Sequence, residues 1–509
     1  MNVQQLKAEL DAKFDIICFY DLADAVGNHG EIFKIFKKYY RAEYQPHQRL
    51  VFYTSDKPSQ LVFDHLQRAA TKIDISNSFV LLCGPYNIEF AIATANAKYG
   101  NDDFTMSWYP CRLAPTKNIN SDKIYPFDTF CTLPFGFLTV TGPDHSASPC
   151  CKYKKFIGSF DNDVFFNEQM TELRHDIKNS RRHKDCSVCW HAEDVGQTSM
   201  RQHFINKYID QCDQEWVDNP RIRDLTISPN TLCNFDCRIC APEVSSKIAV
   251  EELKFSTDPY EQQQLKKMTD WSLSDQYHHT ANKILHLSSD LDYLHIMGGE
   301  PFLWQDLDYL LDNLINKDLA KNIQIEFNTN GSIYSDQTID KLLKFKSVLI
   351  LISIDDINER FEIQRGGRWN QVSRNIQTFK NLKSPTFDVK IAPTVNIQNL
   401  LYLDKLVDFC GILDLEIVWW FLESPQYLSI DFITTAAKNI AYQKYINHPE
   451  PELQAIAQRV NQSQPINDNL FLTYMKKLDQ RRGQDSSVVL EEIFNAMSSS
   501  DVSSVSKQL

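Results

Sequence analysis

No run of apolar residues in this chain approaches the ~20 needed to carry a helix across a bilayer, so no membrane span is expected. Cationic side chains are also in short supply. Lys and Arg number 53 against 66 Asp and Glu, a formal net charge of −13. That balance argues against a protein whose main affinity is for phosphate backbones, and nucleic acid is not an expected partner. Arg181, Arg182, His183 and Lys184 form the compact basic cluster, and it reads as a solvated face. No glycine-rich phosphate loop of either common kind occurs. The opening segment MNVQQLKAEL lacks the apolar stretch of a signal peptide. A soluble, cytoplasmic protein is the expectation.

What is present is enough apolar material for substantial cores. Of 509 residues, 43% are hydrophobic and 12% aromatic, a length that predicts about two to four domains. The 13 cysteines fall partly in C-x2-C and triad spacings. Such spacing fits metal sites in a reducing compartment better than disulfides.

The sharpest of these spacings is TLCNFDCRIC, which carries Cys233, Cys237 and Cys240. At this cysteine content a C-x3-C-x2-C triad would arise by chance about 0.01 times. Three thiolates that close can each bind one iron of a cubane cluster. An iron–sulfur cluster normally takes four cysteines, so a lone triad leaves one iron open to a substrate or cofactor. The alternative is a zinc knot. Structural zinc takes four closed ligands, usually from two separated C-x2-C pairs, and no fourth partner lies near this triad.

The run resembles the signature of the radical S-adenosylmethionine (radical SAM) enzymes, which place this triad on the loop after the first barrel strand. The surrounding pattern agrees. Strand candidates cover 223–228, 292–297, 324–328, 348–353, 387–395 and 415–421. Helical candidates between them include 304–316, 335–345, 369–382 and 400–409. Strand–helix alternation implies parallel pairing through crossover helices. The expected fold is α/β: a partial (β/α)6 barrel over 216–430, of the type the resemblance also implies. Before it, 1–115 reads as a small α/β domain, with strands at 15–20, 50–53 and 79–83 and helices at 28–40, 59–72 and 87–98. Residues 431–509 read as a helical extension ending in a disordered serine-rich tail.

Sites in such folds collect at the C-terminal ends of strands. After the second barrel strand come Gly298, Gly299, Glu300 and Pro301. Paired glycines let the backbone approach a ligand, and a proline fixes the chain's exit. This run matches the family's GGEP motif, which implies that backbone carbonyls and Glu300 bind the SAM amino group. Asn330 lies in a polar turn that resembles the family's TNG segment; a simple turn is the alternative. Alternation puts Ser353 and Asp355 on one face, where the resemblance implies ribose binding. Arg365 is the candidate partner for the SAM carboxylate, since a bidentate guanidinium suits that task; Arg368 competes with it. Val395 and Ile397 offer contacts for adenine, with buried core as the alternative.

A second cysteine group lies at 116–215. Cys131 precedes two short strands around Gly142, followed by Cys150 and Cys151 and then by Cys186 and Cys189. A hairpin would bring its own ends together. These blocks resemble the twitch module, a shortened auxiliary-cluster domain of radical SAM enzymes, placed here before the barrel. The resemblance implies that four of the five cysteines hold a second [4Fe-4S] cluster passing electrons to or from the substrate. Structural zinc is the alternative. Cys18, Cys83, Cys111, Cys212 and Cys410 are isolated and read as small apolar core residues.

The resemblance implies a [4Fe-4S] cluster with an open iron, SAM, and a reductant such as flavodoxin or ferredoxin. It further implies cleavage of SAM to a 5′-deoxyadenosyl radical that takes hydrogen from a substrate. A peptide or protein is the leading substrate class, given the acidic balance and the lack of a further nucleotide motif. Dehydrogenation or epimerisation of a small sugar, alcohol or nucleotide is the runner-up. A non-catalytic zinc scaffold is the alternative outside enzymes.

Overall fold

The computed structural model describes three short strands and residues 129–498, apart from 143, 161–162, 195–198, 209–211, 213, 274–277 and 464–469. The helices expected at 28–40, 59–72 and 87–98, Cys111 and the tail from 499 lie outside the described residues. The chain gathers into two units. The first is Met1–Thr132, Lys152–Lys154 and Leu173–Asp218, and the second is Leu133–Cys151, Lys155–Glu172 and Asn219–Leu509.

In the first unit, β1 (Ile16–Phe19) pairs antiparallel with β2 (Leu50–Tyr53), which pairs parallel with β3 (Val80–Cys83). These are the three strands read from the sequence. The same unit contains α1 (Ser187–Asp194) and α2 (Met200–Tyr208). His183, expected on a solvated face, is buried instead. Its Nδ1 accepts the Asp185 N–H at 3.3 Å and its carbonyl accepts the Trp190 indole N–H at 2.9 Å. The local turn into α1 uses the imidazole as a cap, a role that a charge-run reading misses.

The second unit is built on an eight-stranded sheet. Its strands are β4 (Phe137–Thr141), β5 (Ser146–Ser148), β6 (Gly158–Ser159), β7 (Asp224–Ile227), β8 (Tyr293–Ile296), β9 (Gln324–Thr329), β10 (Ser347–Ile352) and β11 (Phe387–Ile391). The order is β11-β10-β9-β8-β7-β4-β5-β6, parallel from β11 through β4. The expected hairpin around Gly142 is present as β4 and β5. It continues the parallel sheet, because β4 lies beside β7 in register from Phe137↔Asp224 to Val140↔Ile227.

Parallel strands need crossovers, and a buried sheet needs apolar faces. Leu294, Ile296, Ile325, Phe327, Ile350 and Ile352 have no exposed surface. The connecting helices include α3 (Ser246–Phe255), α4 (His279–Leu287), α5 (Leu307–Asn316), α6 (Asp336–Leu342), α7 (Asn358–Arg365), α8 (Trp369–Lys380) and α9 (Leu403–Leu413). Leu307, Leu310, Leu311 and Leu314 make the buried stripe of α5, the spacing that an amphipathic helix requires. Ser245 and Ser335 start α3 and α6 by accepting the N–H of Ile248 and Thr338.

The strand expected over 387–395 breaks at Ala392 and Pro393. Proline has no N–H for the ladder, and the chain resumes as β12 (Thr394–Val395), paired with β13 (Trp420–Phe421). The strand expected at 415–421 is reduced to β13 and an isolated Ile391↔Ile417 bridge. The helices that follow include α10 (Thr435–Tyr445), α11 (Pro451–Gln462), α12 (Leu470–Arg482) and α13 (Glu491–Ser498). Ile456, Val460, Phe471, Met475 and Ile493 from these helices share a core with Val395, Ile397 and Leu400. Among the described residues no helix is long and apolar enough to cross a membrane.

Candidate functional site

The candidate site is the loop from Ser228 to Ser245, which leaves the C-terminal end of β7 and runs into α3. Its backbone is fixed at both ends and in the middle. Ser246 N donates to Thr231 O at 2.8 Å, Glu300 N to Leu232 O at 2.7 Å, and Arg238 N to Gln364 O at 2.8 Å. Cys240 N closes a turn onto Cys237 O at 3.1 Å. The Cys237 thiol donates to Arg365 O at 3.6 Å. Cys237 is buried, and Cys233 and Cys240 are half-buried. The loop carries all three triad members, with the Cys237 and Cys240 side chains hydrogen-bonded to each other, and its middle is tied to the end of α7.

Two glycine turns make this closeness sterically feasible. A Cβ on Gly299 would overlap the Leu232 carbonyl oxygen, and one on Gly366, at φ +70, would overlap the Asp236 carboxylate. The GGEP turn grips the loop at one place, and the Gly366-Gly367 turn after α7 does so at another. The motif predicts a ligand-facing turn for the first pair. The structure gives it a second task, direct contact with the cysteine loop.

Glu300 is fully buried beside this loop. Its Oε1 accepts from Thr329 Oγ1 at 2.8 Å and Phe302 N at 3.1 Å, and its Oε2 accepts from Asn330 N at 2.7 Å. Burial nevertheless pushes its pKa up to about 7, with those donors pulling the other way. Pro301 opens the short turn that Glu300 caps. The Asn330 side chain donates to Asn234 Oδ1 at 2.8 Å, which links the TNG-like turn to the cysteine loop.

Asp355 and Arg365 form a buried pair, Nη1 to Oδ2 at 2.7 Å, and Asp355 Oδ1 accepts the Thr394 N–H at 2.8 Å. Burial opposes the Arg365 charge, but Cys237 and the Asp355 carboxylate outweigh it and hold the guanidinium pKa above its usual value. Arg368, the competing arginine, is exposed at the N-cap position of α8, whereas Arg365 is buried against Asp355. Ser353 is half-buried beyond the end of β10, its N–H on Thr329 O at 2.8 Å. Val395 and Ile397 are fully buried in the core shared with the C-terminal helices.

Thiol chemistry in the loop reflects burial and mutual contact. Burial, reinforced by Cys237, raises the Cys233 pKa to about 11. Cys237 is drawn down by its hydrogen bond with Cys240, and Arg365 assists; Cys240 is raised by the same bond and by burial. Among the described residues, buried Arg365 Nε and Thr231 Oγ1 have no hydrogen-bond partner. Three thiols and an unused hydroxyl on one loop, with the unused guanidinium donor of Arg365 at the end of α7, suit a soft iron–sulfur cluster with a polar ligand beside it. Residues that the sequence does not mark for the site include Arg238 and Asn399. The Asn399 amide donates to Asp355 O at 3.1 Å and Thr394 O at 3.0 Å.

The second cysteine group is divided between the two units. Cys131, Cys186 and Cys189 belong to the first, and Cys150 and Cys151 follow β5 in the second. Within the first unit, Arg201 donates to Phe130 O at 2.7 Å and pairs with Glu193 at 2.6 Å, its guanidinium 5.1 Å from the Trp190 ring centre. That ties the segment of Cys131 to the helix of Cys189. Burial raises the Cys189 thiol pKa.

Residues 227–410 match the family described as the Radical SAM superfamily, a stretch that takes in the triad, the GGEP turn, Asp355 and Arg365. No curated protein matches the chain. Among solved structures, it is similar to native anSMEcpe with bound AdoMet at 15% identity, covering 54% of this chain and 68% of that one, with a TM-score of 0.31. It is similar to Streptococcus suis SuiB bound to S-adenosylmethionine at 14% identity, covering 52% and 57% of the two chains, TM-score 0.27. A structure of TYW1 with a lysine-pyruvate adduct bound shares 16% identity over 43% of this chain and 72% of that one, TM-score 0.25.

Proposed function

We infer that this protein is a radical SAM enzyme. The observation that carries this reading is the cysteine triad held by the GGEP turn inside the stretch that matches the superfamily. Cys233, Cys237 and Cys240 would hold a [4Fe-4S] cluster with one open iron on the partial-barrel scaffold of β7–β11. When bound, that cluster supplies the electron that splits SAM into methionine and a 5′-deoxyadenosyl radical. The chain's own residues bind and orient. Backbone carbonyls of the GGEP turn and Glu300 take the SAM amino group, and Arg365 takes the carboxylate with its unused donor. Asp355 holds Arg365 in place through its Oδ2, while Ser353 is left for the ribose.

The substrate class we assign is a peptide or protein, supported by the acidic charge balance and the lack of a nucleotide motif beyond the SAM site. A flavodoxin or ferredoxin is the matching reductant. The spacing of Cys131, Cys150, Cys151, Cys186 and Cys189 supports an auxiliary [4Fe-4S] cluster. The test is anaerobic reconstitution of the full chain with iron and sulfide, then incubation with SAM and dithionite. Formation of 5′-deoxyadenosine supports the reading, and a fully loaded protein that forms none overturns it.

A further inference from the structure

The cysteine loop is held from outside the stretch that matches the superfamily. Arg238 lies between Cys237 and Cys240, and its side chain has no exposed surface. Its Nη2 donates to Asp479 Oδ1 at 2.5 Å and Gln484 Oε1 at 2.8 Å, and its Nε donates to Ile363 O at 2.8 Å. Its carbonyl accepts the Tyr474 hydroxyl at 2.6 Å. Asp479 is itself fixed, since its Oδ2 accepts from Ser486 N at 2.9 Å and Ser486 Oγ at 2.7 Å.

A second guanidinium runs the opposite way. Arg482, at the end of α12, donates to Asp236 O at 2.7 Å, one residue before Cys237. Its remaining donors form a fork on Glu251 of α3, at 2.8 and 2.5 Å. A bidentate arginine–carboxylate pair fixes direction as well as distance. The loop thus sends one arginine into the C-terminal helices and receives one back, on either side of Cys237.

We propose that α12 and the turn after it are a positioning clamp for the cysteine loop, so that the C-terminal extension completes the cluster site. The clamp rests on the radical SAM reading above. Its physical effect is twofold: it sets the loop's shape so that three thiols converge, and it keeps water from the Cys237 side. Both hydrogen bonding around ligands and solvent exposure tune such clusters and their retention.

The test uses the full chain, reconstituted anaerobically, as wild type and as Arg238→Lys, Asp479→Ala, Arg482→Ala and Arg481→Ala. Arg481→Ala is the control. Arg481 pairs with Glu252 at 2.8 Å, so it joins the same two helices without touching the cysteine loop. The readouts are iron per chain, the rate at which a chelator bleaches the cluster, and the electron paramagnetic resonance (EPR) spectrum of the reduced cluster. Asp479→Ala and Arg482→Ala should bleach roughly tenfold faster than wild type, the usual size of a lost outer-shell contact. Arg238→Lys keeps the charge but not the fork, and should fold, load and show an altered EPR spectrum. Arg481→Ala should match wild type. If Asp479→Ala does not fold, Arg482→Ala and Arg238→Lys decide. Folded variants with wild-type iron, bleaching and spectra would overturn the clamp alone. A wild type that takes up no iron overturns the radical SAM reading and the clamp with it.

Discussion

Arg238 and Asp479 stand 241 residues apart in sequence and meet as a buried ion pair, 2.5 Å from Nη2 to Oδ1. One partner lies inside the cysteine triad and the other on a helix of the C-terminal extension. A charge buried this completely is tolerable only when paired, and removing one partner of such a pair typically costs about 3–5 kcal/mol. The pair therefore couples the stability of the C-terminal helices to the geometry of the loop.

Cys237→Ala should abolish formation of 5′-deoxyadenosine and lower iron by about four per chain, because a three-thiolate site loses one ligand. Chromatography of the SAM reaction, with iron measured on the same sample, checks both. Full SAM cleavage in this variant would remove the triad from the chemistry.

Gly299→Ala introduces a Cβ onto the Leu232 carbonyl, so the GGEP turn and the cysteine loop have to separate. Overpacking of this kind typically costs about 1–3 kcal/mol. The variant should unfold at lower temperature and retain less iron than wild type. An unchanged melting curve with full iron would show that the turn does not grip the loop.

Glu300 makes apo-protein stability depend on pH. Its pKa is raised from 4.5 to about 7 by burial, so the native state holds its proton more tightly than the unfolded chain does. Its contribution is present in full below pH 4.5, declines as pH rises through the window up to about 7, and is level above it. The span is at most about 3 kcal/mol. Urea unfolding of the apo protein across that window should show the decline, and Glu300→Gln should flatten it.

Cys189→Ala should leave SAM cleavage intact and stop product formation, if the second cysteine group conducts electrons. Iron should fall from about eight to about four per chain, since each cubane holds four. Iron of about four in wild type, with one zinc, would make that group structural.

The local signals were legible in advance. The triad, the GGEP turn and the Asp355–Arg365 segment are short motifs, readable because ligand spacing and turn chemistry act over a few residues. Strands β7–β10 were legible for a similar reason: period-2 and period-3.6 patterns are imposed by burial on each element separately. The break at Pro393 was a missed local cue, since proline within a strand pattern demotes it.

What the sequence by itself determined, then, was which residues can ligate, turn or alternate. Tertiary structure alone decided their partners. It buried Arg365 against Asp355 and left Arg368 exposed, and it placed Val395 and Ile397 in the core of the C-terminal helices. It also laid β4 beside β7 and brought Asp479, Tyr474 and Arg482 onto the cysteine loop. The physical reason is common to all of these. Pairing across such separations depends on how packed surfaces fit, and no periodicity or spacing within one segment encodes which distant surface will meet it.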